Sequence, residues 1–228
     1  MEDLKFWLHK NLPTCCASHS ARHIEMCKRA MNYAVKMEYI INNPLYSVET
    51  KRDKTKGIVY LEPNEIKKLM IYNFTNDIYR IVADLYVYQC FTGLSYSDIY
   101  SYDIVEINGK MWLSGERTKN GTKNDVYIFP EAMEIFKKYD YKMPVIANQT
   151  YNRILKEVAL ATGIKKHLTT HTGRKTHATL LEQNGASTRS IMNQLGHKSE
   201  STTNTYYIAK TTNRTSKEFE KLGSLLPV

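Results

Sequence analysis

The chain is poor in the features that build secreted, disulfide-stapled or membrane-spanning proteins. Its 228 residues include four cysteines, Cys15, Cys16, Cys27 and Cys90, and the adjacent pair Cys15-Cys16 has no second pair with which to complete a metal-binding spacing. Cys27 and Cys90 fall in apolar helical contexts, so reduced structural thiols in a cytoplasmic protein are expected, and no cofactor is implied. No uninterrupted apolar run is long enough to cross a bilayer, and no secretory leader pattern is present. Internal repeats and low-complexity tracts are missing too, which argues against a solenoid. What remains is a soluble intracellular protein with one sizeable core and a smaller unit beside it.

What the chain does have is positive charge. Thirty-two Lys and Arg against 23 Asp and Glu give a formal net charge of +9. A polyanionic partner fits that balance, although composition alone also fits an acidic membrane or plain solubility.

Apolar periodicity predicts mostly helices. Ile24, Cys27, Met31, Ala34 and Val35 recur at helical spacing in a segment that begins near Ser18 or Ser20, runs to about Ile40 and is stopped by Asn42-Asn43-Pro44. The polar, basic stretch 46–60 reads as a linker, and Ile58 opens a new apolar pattern. Further helices are predicted from Glu62 to Tyr72, with Pro63 in its first turn, and from Asp77 to Phe91, burying Ile78, Ile81, Val82, Leu85 and Tyr88. Thr92-Gly93 breaks the second of these. Two alternating runs, EINGKMWLSGE and KNDVYIFP, predict strands around a turn at Lys119-Asn120-Gly121. Helices over Glu131–Lys138, Tyr151–Thr162, Thr172–Asn184, Thr188–Leu195 and Thr202–Ala209 complete a mixed α/β, mainly α-helical fold with a small antiparallel sheet.

The final third gathers four polar groups suited to one phosphate. Arg174 offers a planar fork for phosphate oxygens, His171 and His197 offer donors or proton-transfer groups, and Tyr206 offers a phenolic oxygen able to attack phosphorus. His171 and Arg174 stand three residues apart in TTHTGRKTHATLLEQNGA; Leu195-Gly196-His197 follows in IMNQLGHKSESTTNTYYIA, with Tyr206 nine residues after His197. This ordered set resembles the active-site motifs of the tyrosine recombinases, the phage integrase family. In that family an H-x-x-R pair precedes a Leu-Gly-His turn and then the nucleophilic tyrosine.

The resemblance implies site-specific recombination or integration of double-stranded DNA through a 3′-phosphotyrosine, with four protomers assembled around two duplexes. It gives Tyr206 the attack, with Tyr207 turned about 100° away into packing. Arg174 then grips nonbridging oxygens, His171 and His197 face the same phosphate, and Lys119 in GERTKNGTKNDVYIF protonates the leaving 5′ oxygen, with Lys123 the positional alternative. Lys51, Arg52, Lys54 and Lys56 of the linker, with Lys123 and Lys175, are candidate contacts to the DNA backbone. AMNYAVKMEYIINNPL resembles the last helix of the family's core-binding domain. Residues 1–45 are therefore expected to be the end of that domain, 46–57 a basic linker and 58–228 the catalytic domain. The segment SKEFEKLGSLLPV can cross to a neighbouring protomer or cover its own core.

One position departs from the pattern. The family's first arginine follows Gly-Leu, and here Ser95 stands there, with neither the charge nor the bidentate grip. Arg117 is a candidate replacement guanidinium from the strand region, against a plain surface or DNA-backbone role, and Asp98 is expected to orient a neighbouring cation or cap a local helix rather than to bind metal. Competing readings are a DNA-binding protein that has lost its chemistry, a type IB topoisomerase-like relaxation activity and a purely structural helical domain.

Overall fold

The computed structural model describes residues 17–50, 57–119 and 121–209, together with Lys10 and Ser216. Cys15, Cys16, the linker cations Lys51, Arg52, Lys54 and Lys56, and the C-terminal segment apart from Ser216 lie outside them. The chain divides into two compact units, Met1–Lys56 and Gly57–Val228.

In the first unit, helix α1 covers Ala17–Lys36 and buries Ser20, Ala21 and Ile24. It stops before the expected end near Ile40, because Glu38 adopts φ 59° and turns the chain. Asn43 then folds the following segment back: its side-chain amide donates to Lys28 O at 3.2 Å, and its oxygen accepts from Leu45 N at 2.8 Å. Cys27, expected on an apolar face, is exposed, whereas Cys90 in the second unit is buried.

The second unit is organised around one helix. Helix α2 (Pro63–Ile71) starts at Glu62, whose N–H donates to the Glu65 carboxylate at 2.8 Å in a reciprocal cap. Helix α3 (Asp77–Thr92) is capped by Asn76, which accepts from Ile78 N at 3.0 Å, a bond worth about 1 kcal/mol. From Val82 to Cys90 every α3 residue is buried. Ile78, expected in the core, is exposed, since it sits in the solvated first turn and burial begins one turn later. A helix covered all round has to be surrounded. Its neighbours are α2, α4 (Pro130–Lys138), α5 (Asn148–Ala161) and α6 (Thr170–Gln183). Buried Asp84 on α3 is satisfied by Lys138 at 2.6 Å and by the Tyr139 hydroxyl at 2.8 Å, which ties α3 to the end of α4.

Strands β1 (Asp103–Ile107), β2 (Lys110–Glu116) and β3 (Lys123–Tyr127) form one antiparallel sheet in that order. The run EINGKMWLSGE therefore holds parts of two strands. Asn108 and Gly109 both take positive φ, 52° and 72°, and make the two-residue hairpin that Asn-Gly favours, with Ile107 opposite Lys110. The second hairpin pairs Glu116 with Lys123 and carries Arg117 and Lys119 in its loop.

Helix α7 (Thr188–Leu195) packs on β3 and on α6, and α8 (Glu200–Tyr206) packs on α7. Gln194 fastens the α7 contact as if it were backbone: its side-chain oxygen accepts from Tyr127 N at 3.0 Å and its amide donates to Tyr127 O at 3.1 Å. The result is the expected helix-dominated fold with a small antiparallel sheet. Among the described residues no helix is long and apolar enough to cross a membrane.

Candidate functional site

Arg174 is the largest fully buried side chain, 2% exposed. Its guanidinium donates from one terminal nitrogen to Gly93 O and from the other to Leu195 O. Both acceptors belong to helix exits. Gly93 ends α3 at φ 69°, and Gly196, which follows Leu195, ends α7 at φ 59°. A helix C-terminus carries partial negative charge and spare carbonyls, so two of them converge on one cation. Among the described residues no carboxylate lies within ion-pair distance of Arg174. Its Nε has no partner. Burial, and then the charge of Arg117, push its pKa down to about 10, so it stays protonated at neutral pH. A buried cation whose hydrogen bonds go to neutral carbonyls keeps most of its charge for an anion.

Both glycines are needed where they stand. A Cβ on Gly93 would meet His177 Cδ2 at 2.5 Å, and one on Gly196 would meet Arg117 Cδ at 2.6 Å. That second approach places Arg117 in the cluster, where its Nη1 donates to Gly196 O at 2.9 Å and its Nε lies 3.5 Å from Asp98 Oδ2. Ser95 donates to the same carboxylate oxygen at 2.7 Å, and Thr118 N donates to Oδ1 at 3.1 Å. Burial opposes ionisation of Asp98, but the Ser95 and Thr118 hydrogen bonds and the Arg117 charge prevail and hold its pKa below the usual carboxylate value. Arg117 and Ser95 thus converge on one carboxylate.

His197, directly after Gly196, pairs through Nδ1 with Thr203 Oγ1 of α8 at 2.9 Å. Burial first, then the charges of Arg174, Arg117 and His171, push its pKa down to about 3. His171 lies on α6 one turn before Arg174. Its pKa is lowered by desolvation and then by the charges of Arg174, Lys175, Lys119 and Arg117. Both rings are therefore neutral at pH 7. Lys119 and Lys123 are exposed on the hairpin and Lys175 is partly buried on α6.

The structure thus brings Arg174, His171, His197 and Arg117 together, with Lys119 in electrostatic range of His171. Tyr206 is not among them: it ends α8 with 53% exposure. Its neighbour occupies the cluster. The Tyr207 ring lies 4.4 Å from the His197 ring and 6.0 Å from that of His171, and the Arg174 guanidinium carbon is 5.7 Å from its centroid. Tyr207 packs against the apolar cluster of Ala178, Ile191, Leu195 and Ile208, as helix phase predicted, and its contacts with His197, His171 and Arg174 come in addition. Thr203 is a second residue that spacing did not single out; the Thr-rich stretch before Tyr206 was the available signal.

Buried His177, one turn beyond Arg174, points Nδ1 at Cys90 O across 3.1 Å, and burial pushes its pKa down to about 4. Because His177 and His197 resist protonation only when folded, the unfolded chain binds more protons below pH about 6.5. Their contribution is complete above that value and is lost as pH falls towards 4 and then 3. The thermal midpoint is expected to drop between pH 7 and pH 4, and His177→Phe to flatten that slope. An equally steep slope in the variant would contradict a neutral, buried His177.

Comparison with known proteins sets this geometry in context. Residues 60–214 match the model of the phage integrase family. The tyrosine recombinase XerD of Oceanobacillus iheyensis is 26% identical over 207 residues, covering 82% of this chain and 69% of that protein. The integrase of Staphylococcus phage L54a is 25% identical over 243 residues, covering 82% and 69%. Among solved structures, the Tn1549 transposon integrase in complex with transposon right-end DNA superposes with a TM-score of 0.69 at 17% identity, over 98% of this chain and 85% of that one. A lambda integrase dimer bound to a COC′ core site gives 0.69 at 17% identity, over 90% and 78%.

Proposed function

The chain belongs to the phage integrase family of tyrosine recombinases, and we propose that it cuts and rejoins strands of duplex DNA through a phosphotyrosine formed on Tyr206. The observation that carries this reading is the buried Arg174, which has no carboxylate partner among the described residues and stands with His171, His197 and Arg117. Such a site suits a phosphodiester better than a neutral substrate.

In the proposed reaction the Tyr206 oxygen attacks phosphorus, and the bond from phosphorus to the 5′ oxygen breaks. A 3′-phosphotyrosine and a 5′ hydroxyl result. The phenolic proton passes to one of the neutral histidines, and Lys119 supplies a proton to the leaving 5′ oxygen. Arg174 and Arg117 balance the charge on the nonbridging oxygens. Attack by the 5′ hydroxyl of another strand reverses the sequence, so bond energy is conserved without nucleotide hydrolysis. Residues 1–45 are assigned to the end of a core-binding domain, 46–57 to a linker and 58–228 to the catalytic domain. Lys51, Arg52, Lys54, Lys56, Lys123 and Lys175 are assigned to the DNA backbone, and four protomers to the synaptic complex. A second reading, DNA binding without chemistry, draws on Ser95 and on the exposed Tyr206.

The deciding experiment is capture of a nicked suicide duplex by the protein, with the adduct mapped by mass spectrometry. Attachment at Tyr206 is expected. Tight duplex binding with no adduct would favour the noncatalytic reading.

Lys119 has its own test. Lys119→Ala is expected to slow cleavage of ordinary DNA by about 10²-fold, while DNA with sulfur at the 5′ bridging position, whose thiolate leaves without a proton, is cut nearly as fast as by the unaltered protein. Equal slowing on both substrates would move Lys119 to a binding role. The matched Lys123→Ala variant detects a register error on the hairpin.

A further inference from the structure

Giving the attack to Tyr206 leaves unexplained why the cluster holds Tyr207. The contact is extensive. The Tyr207 ring packs on His197, stands edge-on to His171 and lies beneath the Arg174 guanidinium. Its backbone is pinned as well: Tyr207 N donates to Thr203 O at 3.1 Å, Thr179 Oγ1 donates to Tyr207 O at 3.3 Å, and Ala209 N donates to Thr179 Oγ1 at 3.2 Å. Thr179 and Arg174 share α6. Tyr206, one residue earlier, ends α8 and is exposed.

We propose that Tyr207 is an internal occupant of the phosphate seat, covering the His171, Arg174 and His197 side chains until a DNA phosphate displaces it and Tyr206 turns in. The proposal rests on Tyr206 as the nucleophile. Its physical basis is the mismatch between occupant and seat. A neutral phenol over a guanidinium is a weak partner, whereas a phosphate makes charge-assisted bonds to the same nitrogens. The ring therefore covers the cluster against water and yields to the anion that the cluster suits better. Because phenol and phosphate contend for one space, the occupied fraction of the seat lowers both apparent phosphate affinity and the rate of attack. Exchange also supplies the movement that Tyr206 needs, since the two side chains share the last turn of α8 and the residue following it.

The test uses the full chain carrying Tyr207→Ala and, because loss of the ring can impair folding, Tyr207→Phe, which keeps the ring and removes only the hydroxyl. Inorganic phosphate is titrated by calorimetry without DNA, and adduct formation on a nicked suicide duplex is timed at limiting DNA with the attachment site mapped. Tyr207→Ala is expected to bind phosphate about fivefold tighter and to form the Tyr206 adduct about fivefold faster, with Tyr207→Phe changed about twofold in the same directions. A role confined to fold stability would lower the thermal midpoint with no gain in either quantity. Unchanged or weaker phosphate binding in folded variants that still form a Tyr206 adduct would overturn the occupant while leaving the nucleophile in place. An adduct on Tyr207 itself would overturn both. With no adduct in any variant the reaction assignment fails, and the phosphate titration still decides whether the seat is occupied.

Discussion

Tyr206→Phe is expected to remove covalent capture of DNA almost entirely, by at least about 10³-fold, while duplex affinity changes little. The substitution deletes one exposed oxygen at the end of α8, a side chain with 53% exposure and no described bond to the cluster. Neither the fold nor the basic surface depends on that oxygen. Chemistry and binding should therefore part cleanly: gel-shift affinity persists while the adduct vanishes. Equal capture by the variant would sink the assignment, and the mapped residue would then show whether Tyr207, already beside Arg174, is the attacking group.

Arg117→Ala is expected to lower adduct formation at saturating DNA by about 10²–10³-fold, because a guanidinium leaves a transition-state clamp that already has serine at its other corner. A contact to the DNA backbone behaves differently, weakening salt-sensitive binding and sparing the saturated rate. The structure sharpens the companion variant. Ser95 and Arg117 both address Asp98 Oδ2, at 2.7 Å and 3.5 Å. An arginine introduced at Ser95 beside the native Arg117 would place two cations on one carboxylate; after Arg117→Ala that carboxylate is free to receive it. Rescue should thus appear in the double variant and not as a gain in Ser95→Arg alone. Arg117→Ala also takes the side-chain donor from Gly196 O, a loss of roughly 1–3 kcal/mol, so its thermal midpoint should be measured alongside. An unchanged saturated rate would reject the compensation.

Much of this was legible in the sequence, and the misses have definite causes. Helical periodicity located the helices of the second unit because α3 and its neighbours bury long apolar faces, and the Thr188–Leu195 bounds were matched residue for residue. The first strand pair was read too coarsely. EINGKMWLSGE alternates on both sides of Asn108-Gly109, and alternation by itself does not reveal where a chain reverses. Cys27 shows the converse error, since its spacing fits an apolar stripe while the buried face of α1 is confined to Ser20, Ala21 and Ile24. At the site, motif spacing nominated Arg174, His171 and His197, which the fold brings together. It did not reveal what satisfies them. The carbonyls of Gly93 and Leu195 and the hydroxyl of Thr203 are backbone or small-residue partners whose value comes from tertiary placement. Nor can spacing fix the rotation of a seven-residue helix, and a one-residue phase difference is what separates Tyr206 from Tyr207 at Arg174.

The amide of Gln194 has a mechanical consequence. With both of its ends bonded to Tyr127, and with Asn124 donating to Gln194 O at 3.3 Å, β3 is riveted to the end of α7. Arg117 adds a second rivet at Gly196 O. The hairpin stem and the turn bearing His197 thus behave as one plate. A pull on the stem is transmitted to His197 through these two rivets. In the proposed reaction the proton donor Lys119 and the phosphate-facing His197 are therefore carried by different elements, the hairpin loop and the turn after α7, that these two rivets join.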